Sequence, residues 1–228
     1  MSLWVYLKSD NPADALALAS LISQTNDHYN IVRRSVYSSF FEGLSNVHID
    51  YYSKMEDEDL VVINEIESDS WRIKCDIIAK ELSVNNYNYK PYIGFIRIVR
   101  GIETLLEVGK FVCLYLFPHS DQKLDLMVVD QLIRIFEIKG VKAISCGTNV
   151  MPCIKKTKDF RQLIDLPILC GFRDRFSFIL TSENSLKTIG EALNINVYVI
   201  SDSEGLTLNG ISMDDASQMA NYIMMNNK

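Results

Sequence analysis

Three short polar stretches hold the side chains that could do chemistry in this chain. "KSDNPADAL" (residues 8–16) presents Asp14, a carboxylate that can take a proton from a hydroxyl nucleophile if it faces a cleft. The same residues also make a good helix start. Asn11 suits an N-cap, Pro12 the first helical position, and an acid in the first turn is favoured by the helix dipole. "FPHSDQKLDL" (117–126) presents Lys123, a cation for a phosphate, with donors around Ser120 and an imidazole at His119. Its competing reading is an ordinary turn capped by Asp121, with a solvated lysine. "TSENSLKT" (181–188) leaves an apolar run and enters a helix-like one, so its free N–H groups make a candidate anion site. Ser182, Asn184 and Ser185 serve there as caps or as ligand donors. Glu183 suits a hydroxyl or a cation and repels phosphate. Lys187 opposes the helix dipole in the first turn, a small cost that a bound anion would offset.

Bulk properties narrow the chemistry. At 228 residues, 48% of them apolar, the chain can bury one large core or two small ones, and disorder is excluded as a default. A net charge of −6 argues against broad nucleic-acid binding, which needs a basic face, while leaving room for a local basic pocket. The acidic run Glu56 to Asp59 reads as a solvated turn rather than a metal site. Five cysteines without a close CxxC pair and three scattered histidines predict reduced thiols and no metal. No apolar run is long enough to span a bilayer and no basic leader opens the chain, so the expected location is cytoplasmic.

Positioning these stretches requires a particular succession of elements. Strand-like and helix-like periods alternate: a strand near Leu3–Leu7, a helix from Pro12, strands around 29–34, 46–52 and 60–66, and a helix over 70–84. Residues 35–44 also read as helical. After the break "NNYNYKP" the alternation restarts with a strand at 111–117, a helix ending at Gly140, a strand at 141–147 and the 178–201 unit. A final amphipathic helix follows, with Ser212 as its expected cap. The pattern predicts α/β architecture with largely parallel sheets, in which ligands bind beyond the carboxyl ends of the strands. The three polar stretches all follow strands. Tyr87 and Tyr89 in the break either stack on a sugar ring or pack as linker aromatics.

The order of these pieces resembles the ADP-heptose:lipopolysaccharide heptosyltransferase-like glycosyltransferases, the glycosyltransferase family 9 group. In "NPADALALASLI", Asp14 stands where that family has the acid of a GxxGD motif, without the glycines. In "LYLFPHSDQK", Pro118 and Lys123 match the family's loop, with His119 in place of a glycine. In "TSENSLKTIGEALNINVYVI", Thr181 and the "ALNINV" framing match. Glu183 stands for Asp, Ser185 for Gly and Thr188 for His.

The resemblance implies two Rossmann-like domains in a GT-B arrangement. These are an acceptor-side domain (1–93), a connector (94–109) and a nucleotide-sugar-side domain (110–228) whose last helix packs back toward the first. It implies metal-independent transfer of a sugar from a nucleotide-diphosphate donor to a glycan or lipid-linked acceptor, with Asp14 as base and no cofactor. His119, Ser120, Lys123 and the residues Thr181 to Ser185, Lys187 and Thr188 would meet the donor. Peripheral membrane contact stays open. The substitutions at Ser185 and Thr188 point to an alternative: a catalytically inactive relative that binds a nucleotide, a sugar or a protein partner.

Overall fold

A computed structural model describes residues 2–33, 38–50, 60–94, 106–109, 111–116, 126–148, 151–202 and 205–227. The chain forms two compact units, one built on Met1–Ile96 and the other on Arg97–Gly190 and Asn194–Lys228. Each has its own sheet.

The first unit contains β1 (Ser2–Leu7), α1 (Pro12–Ile22), β2 (His28–Arg33), a 3-10 turn (Ser38–Phe41), β3 (Val47–Asp50), β4 (Leu60–Ile63) and α2 (Trp71–Glu81). Its four strands are parallel in the order β3-β2-β1-β4. One face, with Val5, Leu7, Tyr29 and Ile31, is buried, as the two-residue period of a strand requires. Helix α1 is apolar but for Asp14 and Ser20, and all eleven of its residues are buried. A helix of that composition has no solvent face and belongs inside a core. Its start is the one read from the sequence: Asn11 Oδ1 accepts from Ala13 N at 2.9 Å, with Pro12 in the first turn. Helix α2 buries Trp71, Lys74, Cys75, Ile78 and Ala79 and packs on α1. Within 35–44, Ser38–Phe41 form a short 3-10 turn that Gly43, at φ 84°, ends, and residues 34–37 lie outside the described residues.

The second unit contains β5 (Phe111–Tyr115), α3 (Leu126–Ile138), β6 (Lys142–Ser145), β7 (Lys158–Asp159), α4 (Leu166–Gly171), β8 (Phe176–Thr181), α5 (Ser185–Leu193), β9 (Val197–Ser201), β10 (Thr207–Leu208), β11 (Ile211–Ser212) and α6 (Ala216–Asn226). The sheet order is β11-β10-β9-β8-β5-β6-β7. Strands β5 to β9 pair in parallel, and β10 and β11 add an antiparallel edge. That edge turns at Asn209 and Gly210, both at positive φ (53° and 81°), the conformation a two-residue hairpin needs. Val112, Leu114, Phe178, Leu180, Tyr198 and Ile200 form one core layer with Val129, Leu132 and Phe136 of α3 and Met219, Ala220 and Ile223 of α6. Phe136, Phe178 and Tyr198 meet edge to face at 5.5 Å, the preferred geometry for aromatic quadrupoles.

One expected cap moves. Ser212 is drawn into the β10–β11 hairpin opposite Thr207, and the cap of α6 is Asp215, whose Oδ1 accepts from Gln218 N at 2.8 Å. Gln218 Oε1 in turn accepts from Asp214 N at 2.6 Å. A carboxylate at the cap with an amide three residues on satisfies two orphan donors, more than a serine three positions upstream can. The short helix α4 and strand β7, inside a stretch that reads as irregular, are further additions.

All five cysteines are unpaired, and four are buried. Burial pushes the Cys75 and Cys170 thiols up to about 12, so both are thiols and not thiolates. Among the described residues no helix is long and apolar enough to cross a membrane, and no three metal-ligating side chains cluster.

Candidate functional site

Each sheet has a point where the strand order reverses. In the first, β1 lies between β2 and β4, so the crevice opens between the ends of β1 and β4. In the second, β5 lies between β6 and β8, so it opens between the ends of β5 and β8. Ligands of open α/β sheets bind at such points. Asp14 falls there beyond β1 and the 181–188 stretch at the end of β8, while residues 117–125 lie outside the described residues.

At the first point the chain fills the crevice itself. Lys8 N and Ser9 N both donate to Ile63 O, at 2.9 and 3.3 Å, tying the end of β1 to the end of β4. Asp14 then points back from the first turn of α1 and is 0% exposed. Its Oδ1 accepts from Lys74 Nζ at 2.6 Å. Its Oδ2 accepts from Ser9 Oγ at 2.6 Å and from Ile66 N at 3.1 Å. Lys74, also 0% exposed, donates a second bond to Ile66 O at 2.6 Å. Ser9 Oγ accepts from Asn11 N at 3.0 Å, and the hydroxyl is 1% exposed.

A carboxylate and an ammonium taken together out of water each cost several kcal/mol, and only close pairing with further hydrogen bonds offsets this. That is the arrangement here. Three segments far apart in sequence, the β1–α1 loop, the β4–α2 loop and α2, are pinned by one charge pair. Neither oxygen of Asp14 reaches solvent.

Ser9 and Lys74 were not among the residues singled out from the sequence. Lys74 carried a signal: it falls on the apolar stripe Trp71, Cys75, Ile78, where a lysine requires a buried partner.

At the second point the described residues are those after β8. Thr181 (0% exposed), Ser182 and Thr188 (each 1%) are buried hydroxyls. Thr181 Oγ1 accepts from Glu183 N at 3.1 Å, which turns the chain out of the strand. Glu183 Oε1 lies 3.4 Å from Ser185 N, the first residue of α5. The carboxylate therefore sits where a helix start would hold an anion. Asn184 is exposed, its carbonyl accepting from Lys187 N at 2.9 Å, and Glu183, Ser185 and Lys187 are half-buried.

Helix α5 is pressed against β9 at Gly190. A Cβ there would collide with Val197 Cγ2 and come within 2.8 Å of the Ile195 carbonyl. The structure thus places Thr181 at the end of β8, Ser182 to Asn184 in the turn, and Ser185, Lys187 and Thr188 in the first turn of α5. His119, Ser120 and Lys123 lie outside the described residues, as does the acidic run at 56–59. Tyr87 and Tyr89 lie on the first unit, with both hydroxyls donating to Asp76 Oδ1, at 2.5 and 2.9 Å.

No protein-family description matches the sequence, and no curated protein matches it. Solved structures do share the fold. Heptosyltransferase WaaC of E. coli with ADP superposes with a TM-score of 0.55 at 11% identity, covering 100% of both chains. WaaC with ADP-2-deoxy-2-fluoro heptose gives 0.50 at 12% identity, over 99% of this chain and 98% of that one. The iron-containing dodecameric glycosyltransferase TibC of enterotoxigenic E. coli gives 0.53 at 9% identity, over 86% of this chain and 57% of that one. At these identities the likeness is one of fold. The chain has the α/β fold, with its largely parallel sheets, that these glycosyltransferases share.

Proposed function

We propose that this protein binds a nucleotide-diphosphate sugar, ADP-linked in the first instance, at the switch point of its second sheet. The observation that carries the reading is the fold likeness over the full chain to a heptosyltransferase with ADP. It is joined by the turn beyond β8, where Asn184 is exposed and Ser185 and Lys187 are half-buried at the start of α5. Lys123 and Lys187 would balance the diphosphate charge without a metal, and the start of α5 would add its amides.

In its full form the reading is sugar transfer to a glycan or lipid-linked acceptor. The acceptor hydroxyl loses its proton to Asp14, and its oxygen bonds to the anomeric carbon. The bond from that carbon to the diphosphate oxygen breaks, and the nucleoside diphosphate leaves with the electron pair. Asp14 must then touch the acceptor.

A specific observation favours the second reading, binding without transfer. Asp14 has no exposed surface, and its oxygens already receive three hydrogen bonds, one of them from Lys74. Glu183 adds to it, because a carboxylate at the start of α5 competes with a phosphate. Donor binding is common to both readings, and transfer separates them.

The test is a calorimetric titration with ADP, UDP, GDP and CDP and their sugar conjugates, on the wild type and on Lys123→Ala. Saturable binding of one nucleotide, weakened about tenfold or more by the substitution, is expected for a lost charge-assisted contact. No binding at millimolar concentration overturns the proposal. With a bound donor in hand, Asp14→Asn distinguishes the readings. It abolishes transfer if Asp14 is the base, and there is no transfer to abolish if the pair only holds the fold.

A further inference from the structure

A second site of a different kind lies at the opposite end of the first sheet, at the amino ends of β1, β2 and β3. A groove of about 400 Å³ opens there, lined among others by Ser2, His28, Asn30, Ser45 and His48. The parallel register sets four of them, Ser2, His28, Asn30 and His48, on one face, while Tyr29 and Val47, which also line the groove, alternate to the other. Ser2 is opposite His28, and Asn30 lies between Trp4 and His48 in a single row across the three strands. Residues directly opposite in a sheet share a face, and so do residues two apart along a strand. This is the face turned away from the buried layer of Val5, Leu7, Tyr29 and Ile31.

The chemistry of the lining is neutral and two-sided. Asn30 Nδ2 donates to Ser2 Oγ at 2.9 Å, which fixes the amide and leaves its oxygen and the Ser2 hydroxyl proton for a ligand. Among the described residues the rings of His28 and His48 make no hydrogen bond, and both residues are exposed. A neutral imidazole offers one donor and one acceptor, as a primary amide offers both.

Three ligand classes can be weighed on this geometry. A divalent cation needs more ligands than two imidazoles, and no three metal-ligating side chains cluster among the described residues. An anion meets Asp27 beside His28, Asp50 two residues beyond His48 on the same face, and a chain of net charge −6. A neutral polyol suits paired donors and acceptors without charge, and the volume lies at the small end of the ~300–1,000 Å³ typical of ligand pockets. We propose that this groove binds one neutral sugar ring, its hydroxyls on Asn30, His28, His48 and Ser2. The proposal is independent of the nucleotide reading, since its residues all belong to the first unit and that reading uses the second sheet.

Saturation-transfer NMR on the full chain with D-glucose, D-galactose, D-mannose and their methyl glycosides tests this. The imidazole signals of the wild type are followed in the same titration. The expected result is saturable transfer from at least one sugar at millimolar concentration, with shifts in the His28 and His48 signals. Binding weakens about three- to tenfold in Asn30→Ala and His48→Ala, as for one lost neutral hydrogen bond. Thermal unfolding of both variants stays at the wild-type temperature, because the side chains are surface ones. No saturable sugar overturns the proposal, as does binding that both variants leave unchanged. Shifts of the two imidazoles with inorganic phosphate but with no sugar also overturn it, in favour of an anion site. Nucleotide binding, present or absent, bears on none of these outcomes.

Discussion

The two switch points have the same topology and opposite contents. Beyond β1 the crevice is closed by an ion pair, with Asp14 and Lys74 both fully buried and bonded to Ser9 and to both backbone groups of Ile66. Beyond β8 the hydroxyls are buried and the turn that follows is half-buried to exposed, with a carboxylate leaning on the helix start. A parallel sheet makes such a crevice wherever its strand order reverses, and side chains decide whether the crevice is a site. One is spent on holding loops together. The other keeps polar groups at its edge.

Breaking the first point gives the largest effect. Lys74→Met leaves Asp14 as an uncompensated buried carboxylate, and Asp14→Leu leaves the converse. Each should destabilise the protein by about 3–5 kcal/mol. The double variant should cost clearly less than the sum, because it removes the stranded charge. Chemical denaturation of the four species in a double-mutant cycle measures the coupling. Additive losses would show that the pair is not the closure described.

Next in size is the seat of α5 at the second point. Gly190→Ala places a methyl against the Ile195 carbonyl and Val197, and backbone cannot yield cheaply. A loss of about 1–3 kcal/mol in the same assay is expected, together with weaker nucleotide binding as the 181–188 loop shifts. A variant as stable as the wild type would mean that α5 is free to stand off β9.

A smaller effect sharpens what Glu183 does. If its carboxylate occupies the place of a phosphate, Glu183→Gln removes a like charge and ADP should bind about three- to tenfold more tightly in calorimetry. Weaker binding would assign Glu183 to the sugar hydroxyls.

The smallest prediction contrasts the buried pair with an exposed one. Arg161 holds Asp159 at 2.7 Å on the surface of the second unit, and this lowers the Asp159 carboxyl from 3.8 to about 2. A carboxyl lowered by folding adds stability above its unfolded value, and the gain is lost as pH falls from there through about 2. The pair is partly exposed, so solvent screens most of this gain. Arg161→Ala should therefore narrow the stability difference between pH 5 and pH 2 only slightly, as read by thermal unfolding.

Much of the frame was legible in residue order. Alternating periods located β1, α1, β2, β4, α2, β5, α3, β6, β8 and β9, because each element carries its own apolar repeat. The start of α1 was readable from Asn11 and Pro12, whose preferences are local. What escaped depends on partners distant in sequence. Strands β7, β10 and β11 are two residues long, too short for any period. Ser212 looked like a cap until the Asn209–Gly210 turn drew it into a hairpin. Asp14 was found by its place after β1, but its partner was not. A lysine on the buried stripe of α2 is informative only once the helix is seen to face a carboxylate sixty residues earlier.

The first crevice is closed by the Asp14–Lys74 pair, and the proposed nucleotide site is the second. Calorimetric titration of ADP into the wild type, Lys123→Ala and Asp14→Asn, below the unfolding temperature of each, tests it directly. The predicted result is saturable binding that Lys123→Ala weakens about tenfold or more and Asp14→Asn leaves unchanged. Binding lost in Asp14→Asn and kept in Lys123→Ala would contradict it, as would no binding to the wild type at all.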